Sequence, residues 1–132
     1  MRTIIAGSRS IIDLKYIVAA VKESTFDISV IIEGEANGVD VLVWRYGMIN
    51  NIPVEPFLAK WNEFGKSAGY KRNVEMANNA EALILVWDGK SKGSKHMLDV
   101  AKTKGLKTFV YIPEEYQNNI GNELVWVKLM IY

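Results

Sequence analysis

Three short stretches combine glycine with hydroxyl and basic side chains: "AGSRS" at residues 6–10, "EGEANGVD" at 33–40 and "DGKSKGS" at 88–94. Glycine lets a backbone come close to a ligand, and Ser8, Ser91 and Ser94 add hydroxyl donors. Arg9, Lys90, Lys92 and Lys95 add positive charge. Each stretch leads into an expected helix, whose first-turn N–H groups attract anions. Together these residue types suit a phosphate. Neither G-x-G-x-x-G nor G-x-x-x-x-G-K-[ST] is present, so dinucleotide binding of the usual kind and P-loop hydrolysis lose support.

What positions these stretches is an alternation of apolar runs and helical stripes. "RTIIAGS" reads as a buried strand ending at Gly7, and Ser10 to about Ser24 as a helix with Ser10 as its cap. "ISVIIEG" is a second strand, followed by a helix from Val39 to Asn51 with Asp40 near its positive end. "IPVEPF" reads as an edge strand because Pro53 and Pro56 cannot donate to a ladder. A linker runs through Trp61, "KSAGYKRNVEMANNA" reads as a helix, and "EALILVW" as a strand buried on both faces. A helix to about Lys104, a stop at Gly105 and the strand "LKTFVYI" complete the pattern.

Strand and helix alternating in this way call for an α/β fold: a Rossmann-like three-layer α/β/α arrangement around a mostly parallel sheet of about five strands. Ligands of such sheets bind outside the carboxyl ends of the strands, where all three glycine-bearing loops should lie. The chain reads as a single domain over 1–132, with a core at about 2–112 and a C-terminal extension at 113–132. The tail from Asn118 is either an extra edge strand or an apolar patch for self-association.

Composition narrows the functions. The 132 residues include 16 basic and 15 acidic side chains, so a general grip on nucleic acid or membrane is not indicated. No cysteine is present, which excludes thiolate zinc sites and a cysteine nucleophile, and the one histidine, His96, cannot build a histidine-rich metal site. No metal or cofactor is called for. "MRTIIAGSRS" is not a signal peptide, and no apolar run approaches the roughly 18 residues a membrane span needs. A cytoplasmic protein is the expectation.

Arg72 and Asn73, in "GYKRNVEM", sit early in a helix, from which the arginine could reach a phosphate or ribose across the sheet edge, although a solvated arginine on an ordinary helix is the simpler reading. Trp87, at a strand end, is the first candidate to stack on a base and Trp61 the next; Tyr70 fits either a site or a surface. Asp40 and Asp88 could orient a ribose hydroxyl or act as a base, although aspartate at such positions more often caps turns and helices.

The linked segments "IIAGSRS", "EGEANGVD" and "GYKRNVEM…AEALILVWDGKSKGSKHM", over about residues 2–112, resemble the SLOG superfamily of Rossmann-like proteins. Within it they are most similar to the small stand-alone YspA or cpYpsA-related group. The resemblance implies a pocket for a nucleotide or nucleotide-derived ligand of the nucleoside-monophosphate or ADP-ribose kind. By position it implies Gly7, Ser8 and Arg9 in the first loop and Gly34, Gly38 and Asp40 in the second. Arg72 and Asn73 would be the helix contact, with Gly89, Ser91, Gly93 and Ser94 holding the phosphate. It also implies self-association as a dimer or higher oligomer.

The cytokinin-activating LOG enzymes of this superfamily carry P-G-G-x-G-T-x-x-E, whose glutamate supports glycosidic cleavage. Here Met97 stands in its place, and a thioether cannot handle a proton. Ligand binding as a sensor or sequestering protein is therefore the leading reading. The alternatives are an N-glycoside hydrolase using Glu35, Asp40 or Asp88, and DprA-like binding of single-stranded nucleic acid, which the near-zero net charge disfavours. Glu33 and Glu35 put two carboxylates in the second loop, unfavourable beside a phosphate without a compensating cation.

Overall fold

The structure, a computed structural model, describes residues 1–34 and 39–119, without the side chains of residues 40, 118 and 119. Five strands pair in parallel in the order β3-β2-β1-β4-β5: β1 Arg2–Gly7, β2 Val30–Glu33, β3 Val54–Pro56, β4 Ala82–Val86 and β5 Lys107–Tyr111. Between them run α1 Leu14–Ser24, α2 Val39–Asn50, the short α3 Trp61–Phe64, α4 Ala68–Asn78 and α5 Lys92–Thr103. Side chains on a strand alternate between faces. Ile4, Ile32, Leu83 and Leu85 therefore join one core with Met76, Met97, Leu98 and Ala101 from α4 and α5. Ile5, Ile31, Ile84 and Val86 join the other with Ile17, Ala20, Leu42 and Val43 from α1 and α2. All five residues of β4 are buried, as a strand covered on both faces must be.

The chain builds outwards from β1 to β2 and β3, then crosses the sheet through α4 to return at β4. The reversal falls between β1 and β4, whose register runs from Thr3↔Ala82 to Gly7↔Val86. The approach at its end is tight. A Cβ on Gly7 would lie 2.1 Å from the Val86 carbonyl oxygen and 2.8 Å from Val39 Cγ2.

Most element expectations hold; α1 differs. It begins at Leu14, with the Asp13 side chain accepting from the Lys15 N–H at 3.0 Å, and Ser10 is not its cap. Ile11 is nevertheless buried in the α1/α2 core, which is why an apolar pattern extends ahead of the helix. The segment expected as one helix from Lys66 is divided: a 3-10 turn covers Gly65–Ser67 and α4 starts at Ala68. Gly105 does stop α5, at φ 76°, with its N–H donating to the Lys102 carbonyl and that of Leu106 to Ala101. Beyond β5 a 3-10 segment, Glu114–Asn119, folds back, and Tyr116 touches both cores. The expected C-terminal edge strand would fall on residues beyond 119, outside the described residues. Among the described residues no helix is long and apolar enough to cross a membrane.

Gly7→Ala should cost about 3 kcal/mol of stability, because neither a backbone carbonyl nor a β-branched side chain can yield without opening the sheet end. Denaturant midpoints of the two proteins check this; an unchanged midpoint would contradict the described closure.

Candidate functional site

The site is assembled where β1 and β4 end together. Past Gly7, the Ser8 N–H donates to the Val86 carbonyl at 3.0 Å, extending the pairing one residue beyond the sheet. The buried Ser8 hydroxyl accepts the Asp88 N–H at 2.9 Å. Asp88 then organises its own loop. One carboxylate oxygen accepts the N–H groups of Lys90 and Ser91, each at 2.9 Å, and the other accepts the Ser10 hydroxyl at 2.8 Å. Gly89 makes the turn at φ 82°. Burial raises the Asp88 pKa, but the hydrogen bonds from Lys90, Ser91, Ser10 and Ser8 outweigh it and hold the carboxyl below its usual range.

This turn delivers the N-terminus of α5. Ser91 occupies the cap position but its side chain makes no capping bond, and the first helical bond is from the Lys95 N–H to the Ser91 carbonyl. The N–H groups of Lys92, Gly93 and Ser94 thus have no acceptor within the helix. The Ser94 hydroxyl donates to that of Ser91 at 3.2 Å. A Cβ on Gly93 would meet no protein atom within 4 Å, so packing does not require glycine there.

From α4, the Asn73 amide, 4% exposed, faces the Gly93 carbonyl at 3.4 Å and donates to His96 Nδ1 at 3.1 Å. Burial lowers the His96 pKa, with Asp99 acting the other way, which suits a neutral ring accepting at Nδ1. Arg72 Nη1 donates to the Gly34 carbonyl at 2.9 Å, and its stem lies over Gly34 so closely that a Cβ there would be 2.8 Å from Nε.

Between α4, α5 and the β1 end lies a cleft of about 540 Å³, within the range of small-molecule sites. Ala6, Met76 and Met97 contribute its apolar surface. Ser10, Ser91, Gly93 and Ser94 line it, with the cations of Arg9, Lys66 and Arg72 around them. Trp61, Gly69 and Tyr70 complete the wall. Among the described lining residues Asp88 is the one carboxylate.

The structure therefore brings Gly7, Arg9, Arg72, Asn73, Asp88, Ser91, Gly93 and Ser94 to one cleft. Ser8 and Gly89 shape the loops behind it, and Gly34 meets it through Arg72. Glu35 and Gly38 lie outside the described residues, as does the Asp40 side chain. Trp87 does not stand where a base could stack. It is 5% exposed within the α4/α5 core, and its indole N–H donates to the Ser91 carbonyl at 3.1 Å. Glu33 is also directed elsewhere, fully buried and accepting from the Trp44 indole at 2.8 Å. The lysines at 90, 92 and 95 are exposed and do not line the cleft, Lys95 pairing with Asp99 at 3.3 Å. Lys66 and Gly69 were not singled out from sequence. Their signal was faint: a lysine and a glycine in the first turns of a segment that reads as one ordinary helix. Among the described residues no three metal-ligating side chains come together.

Residues 1–64 match the model of the YspA, cpYpsA-related SLOG family, over the strands and loops that begin this cleft. Over these 64 residues the chain is similar to that SLOG family. A curated relative, the Gene 61 protein of Mycobacterium phage D29, is 32% identical over 83 residues, 58% of this chain and 66% of that protein. The fold of the chain is also that of DNA processing protein A (DprA) from Streptococcus pneumoniae. That match has a TM-score of 0.73 at 16% identity and covers 96% of this chain. It takes in 56% of the DprA chain, so this protein spans about half of that structure.

The lowered Asp88 pKa fixes a sign. Its contribution to stability is complete above the unperturbed carboxyl value of 3.8 and is lost as pH falls through the lower folded-state value. Thermal midpoints measured between about pH 5 and pH 2 should fall more steeply for the parent than for Asp88→Asn. Parallel curves would show that the ionised carboxylate does not hold the loop.

Proposed function

We propose that this protein binds a nucleotide or nucleotide-derived anion, of nucleoside-monophosphate or ADP-ribose size, in the cleft between α4 and α5. It does so as a sensor or sequestering protein and releases the ligand unchanged. The observation that carries this is the meeting of two anion-binding devices in one concavity. The first turn of α5 brings N–H groups without a helical acceptor to the cleft, with open space around the Gly93 Cα, and Arg9 and Arg72 line the same cleft.

Binding without turnover is favoured by what surrounds those groups. Asp88 is committed to the Lys90 and Ser91 N–H groups of its own loop and to Ser8 and Ser10 of the first, and is held ionised, a poor general acid near neutral pH. Met97, 1% exposed on the cleft surface, offers no proton chemistry. A cytoplasmic, self-associating protein belongs to the same proposal, and sedimentation at several concentrations tests the association.

The test is mass spectrometry of small molecules co-purifying with the full chain, followed by calorimetric titration with AMP and ADP-ribose and recovery of the ligand. Stoichiometric, unmodified ligand supports the reading. Release of free base over many turnovers would overturn it in favour of an N-glycoside hydrolase drawing on Glu35 or Asp40.

Two substitutions give opposite signatures. Gly93→Ala should stabilise the fold by roughly 0.4–1 kcal/mol, since the new methyl meets no protein atom, yet weaken nucleotide binding about tenfold. Arg9→Gln should leave the unfolding midpoint within about 0.5 kcal/mol of the parent and reduce both affinity and its salt dependence.

A further inference from the structure

The cleft has two chemically different ends. Near Arg9 and the first turn of α5 it offers charge and N–H groups. Near Trp61, Gly69 and Tyr70 it offers aromatic surface. We infer that this second end receives a flat heteroaromatic ring, and that Trp61 is the residue that makes the site select a base-bearing anion over a bare sugar phosphate. The inference rests on the anion-binding reading above and adds the identity of the far half of the ligand.

Trp61 is 52% exposed, on a four-residue helix that buries no side chain. Its indole is placed by α4: a Cβ on Gly69 would lie 3.4 Å from Trp61 Cη2 and 4.0 Å from Cζ2. The missing side chain at Gly69 leaves the benzo edge seated on the helix. Tyr70, 47% exposed, is steadied by His96, with ring centroids 4.4 Å apart at 47°. Single exposed aromatics are ordinary on protein surfaces. Two of them on the wall of a concave site are a different matter, because a planar guest recovers the burial that water denies them.

The thioethers point the same way. Met76 and Met97 are 2% and 1% exposed, yet both reach the cleft surface. Methionine sulfur packs favourably against aromatic rings and adapts to their outline. A sugar phosphate would use the Arg9 and Gly93 end and leave this surface wet.

The experiment uses the full chain, with AMP, ribose 5-phosphate and inorganic phosphate titrated separately by calorimetry. The parent should bind AMP at least tenfold more tightly than ribose 5-phosphate. Trp61→Leu should weaken AMP about tenfold while leaving ribose 5-phosphate affinity unchanged, and Trp61→Phe should retain most of the AMP affinity. Unfolding midpoints should be the same for all three proteins, since α3 contributes nothing buried. Equal affinity of the parent for AMP and ribose 5-phosphate would overturn the inference and leave the anion-binding reading standing. Equal weakening of both ligands by Trp61→Leu would also overturn it, showing Trp61 to be only structural. Failure of all three probes to bind would remove both readings together.

Discussion

Where β1 and β4 finish, the two backbones are closer than any side chain would permit. Gly7 faces the Val86 carbonyl with no room for a methyl group, and the Ser8 N–H continues the ladder to that same oxygen. From this closure the rest of the site is propagated by short polar links. Ser8 holds the Asp88 N–H, Asp88 gathers the N–H groups of Lys90 and Ser91, and Ser91 opens α5. Loosening the first contact would displace each of the others. The position of a helix end is thus dictated by a backbone contact several residues away.

That arrangement also separates two electrostatic tasks. A carboxylate beside an anion site would ordinarily be repulsive. Here the Asp88 charge is spent on backbone donors of its own loop and the Ser10 hydroxyl of the first loop, while Arg9, Lys66 and Arg72 face the cleft. The loop is held in shape by an acid so that the groups beyond it can attract one. Glu33 is removed from the site more simply, by pointing to the opposite layer and meeting Trp44.

Strand identity was the most readable part of the sequence, because β-branched runs bounded by glycine and proline admit few alternatives. β3, with Pro56 in it, lies at the sheet margin that its prolines require. Ser10 was less readable. Apolar Ile11 and Leu14 continue a helical stripe backwards, and only the partner 78 residues away shows that the serine serves Asp88. Trp87 illustrates the same limit. Its place at a strand end suggested exposure, but strand alternation turns it into the α4/α5 core and leaves Trp61, from a stretch with no period, on the cleft wall. Lysines clustered in sequence likewise fan outwards once a helix starts among them, and the cations that gather come from three separate elements.

The two walls of the cleft are anchored very differently. The Gly7–Asp88–Gly93 wall is woven into the sheet, and shifting it would strain buried backbone. Neither α3 nor the turn Gly65–Ser67 buries a side chain, so the part of the opposite wall that carries Trp61 and Lys66 can be displaced without disturbing either core, while α4 behind it stays packed. Such asymmetry sets a division of discrimination. At the rigid side small changes in a guest's shape are rejected outright, whereas at the compliant side rings of unequal size are accommodated by graded adjustment.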